Sequence, residues 1–306
     1  MTLTELRYIV AVARERHFGR AAEACFVSQP TLSVAVRKLE DELGVVLFER
    51  GTSEITVTPA GERIIAQAMR VLDEARTLKE LAKQGEDPLS VPIRLGVIYT
   101  IAPYLLPRLI PVLHKRAPRM PLLIEENYTG ALAGRLQQGE LDVIVISLPF
   151  EAPGIATQPL YDEDFVVVLP AGHPLAKKTS VKPADIANET VLLLGAGHCF
   201  RDQVLSACPA CHRGSAVPGS LQKTLEGSSL ETIRLMVASG AGITVLPGTS
   251  VSTRHNNLLA VRPFVKPVPT RSVALAWRNS FTRPEAIRAI RQAILASDLP
   301  GTRPIK

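Results

Sequence analysis

The chain has 306 residues, 46% of them apolar and 21% charged, with four cysteines. That length suits two or three domains with sizeable cores, the composition excludes collagenous, disordered and coiled-coil-only chains, and the cysteines are too few for a disulfide scaffold. The net charge of +6 does not locate a nucleic-acid face. Residues 1–87 hold 12 Lys+Arg against 14 Asp+Glu, a net of −2, and the remainder holds 23 against 15, a net of +8.

Residues 1–20 carry Glu5, Arg7, Arg14, Glu15 and Arg16 and no clean apolar stretch of the kind a leader needs. Val97–Leu113 is broken by Pro103, Pro107, Arg108 and Pro111, whereas a spanning helix needs ~20 predominantly apolar residues. The expectation is a cytoplasmic protein that does not cross a membrane.

Leu3, Leu6, Ile9, Val10 and Val12 recur at helical spacing. Phe18–Cys25 reads as a short helix of small residues, and Phe26–Thr31 as a sharp break. Ser28 is a good N-cap and Pro30 fits a first helical turn. Leu32, Val36, Leu39 and Leu43 then predict one buried face, Pro30, Ser33 and Arg37 mark another, and Gly44 ends the helix. Two helices, a tight turn and a short-polar, cationic face follow helix-turn-helix logic. Gln29 suits adenine, Arg37 a phosphate or guanine, and Thr31 and Ser33 a phosphate or base edge. Leu47–Thr58 reads as a small hairpin whose Arg50 can follow a phosphate or the minor groove. These residue types are common, and core packing alone is the competing reading.

Thr58-Pro59 opens a helical stretch to about Gln84. Ile64, Ala68, Val71, Ala75, Leu78 and Ala82 repeat at coiled-coil spacing, flanked by Ile65 and Leu72. Dimerisation is the expectation; packing on its own domain is the rival. Gly85–Pro92 reads as a hinge. Beyond it the predicted strands are Ile93–Ile98, Leu122–Glu126, Val143–Ser147, Phe165–Leu169, Val191–Leu194, Ile243–Leu246 and Val273–Trp277. Helices are expected at Ala102–Arg116, Gly130–Gln138, Leu230–Ala238 and Pro284–Ala296, which is α/β patterning. Pro103 is expected at a helix start, with distortion at Pro107 and Pro111.

Cys25 is expected in the core. Gly197–His212 gathers Cys199, Cys208, Cys211, His198 and His212, and four readings stand side by side. They are inert packing, zinc bound by these residues, a Cys208-Pro-Ala-Cys211 dithiol, and a peroxide-reactive Cys199 resolved by Cys208. The last has a mechanism. The thiolate is the nucleophile, Cys199 falls near a predicted helix start, and His198 and Arg201 flank it. Phe200, Val204 and Leu205 have helical spacing. A helical 199–208 separates the two cysteine Cα atoms by roughly 13–14 Å, beyond the ~7 Å that a disulfide tolerates.

Phe18-Gly-Arg-Ala-Ala-Glu, Ser28-Gln-Pro-Thr-Leu-Ser33, Lys38-Leu-Glu-Asp-Glu-Leu-Gly44, Leu47-Phe-Glu-Arg50 and Thr58-Pro-Ala-Gly61 resemble the DNA-binding domain of LysR-type transcriptional regulators. The resemblance implies a winged helix-turn-helix over 1–58 with its motif at 18–37, and a linker and dimerisation helix with hinge over 59–87. It also implies an α/β regulatory domain over 88–306, made of two Rossmann-like subdomains as in periplasmic binding proteins. Subdomain I would be 88–161 with 268–306, and subdomain II 162–267. Ser28, Gln29, Pro30, Thr31, Ser33, Arg37 and Arg50 would bind DNA.

Gly197-His-Cys-Phe-Arg-Asp-Gln203 with Cys208, and Leu95-Gly-Val-Ile-Tyr-Thr100-Ile-Ala-Pro-Tyr104, are similar to the hydrogen-peroxide-sensing members of that family. This implies a peroxidatic Cys199, a resolving Cys208, and Thr100, Thr129, His198 and Arg271 as peroxide-binding residues; Cys211 lies outside the family's pair. It further implies a homotetramer (a dimer of dimers) on promoter DNA that activates oxidative-stress defence genes. The implied partners are hydrogen peroxide, RNA polymerase and a cellular thiol reductant, with no cofactor, no metal and no enzymatic role. The alternatives are a metabolite-responsive regulator of the same family with structural cysteines, and a thiol peroxidase or disulfide reductase, which turnover would distinguish.

Overall fold

The computed structural model describes all residues except 51–54, 84–88, 188, 210–228, 252–256 and 306. It forms two compact units, Met1–Asp87 and Pro88–Lys306.

The first unit contains α1 (Leu3–Glu15), α2 (Phe18–Ala24), α3 (Gln29–Leu43), β1 (Phe48–Arg50), β2 (Ile55–Val57) and α4 (Pro59–Lys83). Thr2 and Glu5 form a capping box at the start of α1, satisfying amides that the helix leaves unpaired. The Ser28 side chain caps α3 by accepting from the Thr31 amide, and Gly44 closes it at φ 65°. Leu32, Val36 and Leu39 are fully buried, but Leu43 is 37% exposed. The buried face thus stops one turn short of the helix end, a correction to the predicted face of four residues. At that end Glu40 accepts from the amides of Leu47 (2.7 Å) and Phe48 (3.2 Å), tying α3 to the antiparallel β1–β2 wing.

The 64–82 seam divides. Ala68 is buried with Ile65 in this unit's own core, and Ile64, Val71 and Leu72 pack half-buried against it. Leu78, further along, is 71% exposed. The N-terminal half of α4 therefore serves its own domain, and among the described side chains of the repeat Leu78 is the exposed one.

The second unit runs β3 (Ile93–Ile98), α5 (Ala102–Arg116), β4 (Leu122–Asn127), α6 (Thr129–Gln137), β5 (Val143–Ser147) and β6 (Ile155–Pro170). It continues with β7 (Val191–Leu192), α7 (Cys199–Ala207), α8 (Leu230–Ala238), β8 (Ile243–Pro247), β9 (Leu259–Pro263), β10 (Thr270–Arg278), α9 (Pro284–Leu295) and β11 (Thr302–Pro304). The strand order is β4-β3-β5-β10-β6-β8-β7, with β9 and β11 also on β6. β3 is parallel to β4 and β5, as βαβ units require.

The long strand β6 joins two halves. Its residues 155–164 pair with β10, and residues 165–170 with β8 and β9. Each half has its own apolar core, one around Leu95, Val145 and Leu275, the other around Phe165, Val167 and Leu246. This is a two-subdomain α/β unit. α5 begins with Pro103 in its first turn and runs on through Pro107 and Pro111.

Gly61 lies in the first turn of α4 against the wing. A Cβ there would run into the Leu47 carbonyl oxygen and sit 3.0 Å from Val57 Cγ1. A backbone carbonyl cannot step aside cheaply, so Gly61→Ala should destabilise this domain by about 1–3 kcal/mol. Denaturation of the isolated transition checks this, and an unchanged midpoint contradicts it.

Candidate redox site and nucleic-acid interface

After β7 the chain turns at Gly197 (φ 94°) and enters α7 with His198 as N-cap and Cys199 as first residue. Cys199 is a free, half-buried thiol. Thr129 is likewise the first residue of α6, and its hydroxyl donates to Cys199 Sγ at 3.9 Å. Two helix starts therefore meet at one sulfur, and the amides and dipole of a helix start favour negative charge there. His198 is 5% exposed, with its ring 4.7 Å from that of Tyr128 and 6.0 Å from that of Tyr99. Burial pushes its pKa below the usual histidine value, so it is neutral at pH 7. Its Nε2 has no hydrogen-bond partner among the described residues.

Arg271 on β10 stands directly across from Glu163 on β6, and both side chains are wholly buried. Its Nε donates to Glu163 (2.6 Å), Nη1 to the Thr100 hydroxyl (2.8 Å) and Nη2 to the Thr100 carbonyl (3.0 Å). The Thr249 amide (3.1 Å) and hydroxyl both donate to the other Glu163 oxygen. The guanidinium also lies over the Phe200 ring at 4.9 Å, next in sequence to Cys199. Buried charges persist when paired and fully hydrogen-bonded, which describes this cluster.

The predicted site residues thus fall into two linked groups. His198, Cys199 and Thr129 come together at the helix starts, and Thr100 is bound to Arg271. Cys199 and Arg271 line the same cleft of about 1090 Å³, together with Gln203, Phe165 and Pro269. Sequence reading missed Glu163, Thr249 and the Phe200–Arg271 contact. One signal was present, the acidic run Asp162-Glu163-Asp164 leading into the apolar stretch Phe165–Leu169. Arg201, expected beside Cys199 as a cation, donates to the Leu194 carbonyl at 2.7 Å.

Cys208 follows α7, 1% exposed, its sulfur 3.5 Å from the Pro183 carbonyl oxygen. It is disulfide-bonded, whereas Cys199 is free, so the Cys199–Cys208 bond is not formed here. Cys211 and His212 lie outside the described residues. Among the described residues no group of three or more His, Cys, Asp or Glu side chains could hold a metal ion. Cys25 is half-buried beside the first unit's core, and burial pushes its thiol pKa up.

On the first unit, Ser28, Gln29, Pro30, Thr31 and Arg37 are exposed and Ser33 is half-buried. The Ser28 and Thr31 hydroxyls are 2.8 Å apart. Arg37 has no ion-pair partner among the described residues, so its charge is available to an external anion. The Arg50 side chain lies outside the described residues.

Comparison with known proteins agrees across both units. The family description "Bacterial regulatory helix-turn-helix protein, lysR family" matches residues 3–62, and "LysR substrate binding domain" matches residues 86–298. The chain is 41% identical over 280 residues to the "DNA-binding transcriptional dual regulator OxyR" of Escherichia coli, covering 91% of this chain and 90% of that protein. It superposes on full-length OxyR from Pseudomonas aeruginosa, solved as a cysteine-to-aspartate variant, with a TM-score of 0.74 at 53% identity over 98% and 99% of the two chains. It also superposes on a hydrogen-peroxide-bound cysteine mutant of OxyR from Corynebacterium glutamicum, with a TM-score of 0.61 at 35% identity over 96% and 91%.

Removing one member of the buried pair should cost far more than removing both. Glu163→Ala leaves the Arg271 guanidinium uncompensated and should lower regulatory-domain stability by about 3–5 kcal/mol. Glu163→Leu with Arg271→Met should recover most of that loss. Urea denaturation of the two variants measures this, and equal destabilisation of the single and the double variant contradicts it.

Proposed function

Because the chain belongs to the LysR family of bacterial transcriptional regulators, we propose that it is a hydrogen-peroxide-sensing, DNA-binding regulator that mainly activates oxidative-stress defence genes. One observation carries this reading: Cys199 presents a free thiol at the start of α7, with the Thr129 hydroxyl on its sulfur. The Cys199 thiolate attacks one peroxide oxygen and the O–O bond breaks. Cys199 sulfenic acid forms, and the second oxygen leaves as hydroxide, which takes up a proton to become water. The Cys208 thiolate then attacks the sulfenic sulfur, closing the Cys199–Cys208 disulfide with loss of hydroxide.

Thr100, Thr129, His198 and Arg271 hold and polarise the peroxide. Neutral His198 supplies a hydrogen-bonding nitrogen without a competing charge, and the Arg271 charge is already balanced by Glu163. Cys208 resolves Cys199 as a thiolate, and a cellular thiol reductant returns both cysteines to the thiol state after the signal.

In this reading residues 1–58 bind promoter DNA through Ser28, Gln29, Pro30, Thr31, Ser33, Arg37 and Arg50, and residues 59–87 link and dimerise. Residues 88–306 sense, with one subdomain formed by 88–161 and 268–306 and the other by 162–267. The protein acts in the cytoplasm as a dimer of dimers, engages RNA polymerase, and is not an enzyme. Exposed Ile110 on α5, exposed Leu123 and Ile124 on the edge strand β4, and Leu78 on α4 support self-association.

Two sets of variants test the proposal. Cys199→Ser should abolish the peroxide response of a reporter promoter. After pre-reduction, Cys208→Ser should still give a dimedone adduct at Cys199 but no Cys199–Cys208 bond. A Cys199→Ser protein that still responds overturns the redox assignment. On DNA, Arg37→Ala should weaken binding and reduce the slope of log affinity against log salt by about one phosphate's worth of counterion release. An unchanged slope and affinity removes Arg37 from the interface.

A further inference from the structure

Phe26 costs the free protein twice and contributes nothing in return. The turn after α2 is a Schellman closure: the Phe26 amide donates to the Glu23 carbonyl and the Val27 amide to the Ala22 carbonyl, each at 3.0 Å. That closure needs a left-handed residue after Cys25, and Phe26 supplies it at φ 57°. Glycine or asparagine is the usual occupant, and a bulky side chain there is an outlier. Nor is the strain offset by packing. Val27 turns into the core as a half-buried residue, while Phe26 is 96% exposed. A strained, solvated aromatic ring points to an external partner.

Its position says which one. Phe26 lies two residues before Ser28, so its Cα is within about 7.6 Å of the cap of the recognition helix. The exposed Ser28, Gln29, Pro30 and Thr31 continue the same surface. Val34, one turn after Pro30, is also 68% exposed. The thymine 5-methyl is the apolar group that a base edge presents in the major groove, and phenylalanine is among the side chains that pack on it.

We infer that Phe26 is a DNA-contacting, specificity-determining residue that packs on a thymine methyl at the edge of each half-site. The inference rests on the DNA-binding reading above. The contact is apolar and releases no counterions, which separates it from the contribution of Arg37.

The test uses the full chain and the tightest 40-base-pair duplex that it enriches from a random pool. Phe26→Asn and Phe26→Gly suit the left-handed turn, so both should fold with a thermal midpoint no lower than the parent's. Both should bind the selected duplex at least roughly fourfold more weakly, the equivalent of one buried methyl group, with the parental salt slope. Replacing thymines one at a time by deoxyuridine removes only the methyl. At one position per half-site this should cost the parent a similar factor and the Phe26 variants nothing. Parental affinity in both folded variants, or a uracil profile that they share with the parent, overturns the inference. A parent that enriches no duplex overturns the DNA-binding reading itself, and this inference with it.

Discussion

A helix cannot bring its own two ends within reach of one disulfide, and the redox site is built on that constraint. Cys199 opens α7 and Cys208 follows its last residue. Nine steps of helical rise hold the Cα atoms roughly 13–14 Å apart, and a disulfide closes only when they approach to about 7 Å or less. The Cys199 thiol and the Cys208 sulfur are thus kept apart by ordinary backbone hydrogen bonds. Oxidation of Cys199 can occur in the fold described here; closure of the bond requires Cys208 as a thiol and α7 to unwind.

What α7 holds in place explains why such a local event reaches further. Phe200 and Val204 are buried in the second subdomain core. Phe200 packs on Phe165 at 5.0 Å and carries the Arg271 guanidinium on its other contact. Gln203 donates to the Ser147 hydroxyl (2.8 Å) and the Leu148 carbonyl (3.2 Å), at the end of β5 in the other subdomain. Unwinding α7 therefore withdraws an apolar wedge from one core and a polar tie from the other. Arg271 and Glu163 sit on β10 and β6 where the chain passes between the halves, so the loosened contacts lie at the joint. Interfaces of this kind are bistable rather than gradually deformable, and a covalent bond biases the choice.

Much of this was legible in the sequence. Apolar runs fixed the central strands and helices of the α/β unit, with α5 and α8 matching their predicted limits, and Ser28, Pro30 and Gly44 marked the ends of α3. Elements whose stability is borrowed were not legible. Only the second half of β6 was predicted, because Ile155–Asp164 mixes polar residues and Pro159 and is held by β10. β9 and β11 are short strands that exist through their pairing with β6. The 64–82 repeat predicted one seam, yet Ala68 faces its own domain, since periodicity shows that a face is buried and not against what. At the site, Cys199 was legible from its predicted helix start and its neighbours, whereas the peroxide-binding roles of His198 and Thr100 came from motif resemblance. Glu163 and Thr249 became visible only once strand register set Glu163 opposite Arg271, a relation more than one hundred residues apart in the chain.

The central claim, that closure of the Cys199–Cys208 bond requires α7 to unwind, is tested most directly by hydrogen exchange. Peptides covering residues 199–207 would be followed by mass spectrometry in the pre-reduced protein and after peroxide, with the disulfide mapped in the same sample. The account predicts protected amides through α7 while Cys199 is a thiol, and their loss once the Cys199–Cys208 bond is present. Undiminished protection across 199–207 in protein that carries that bond would contradict it.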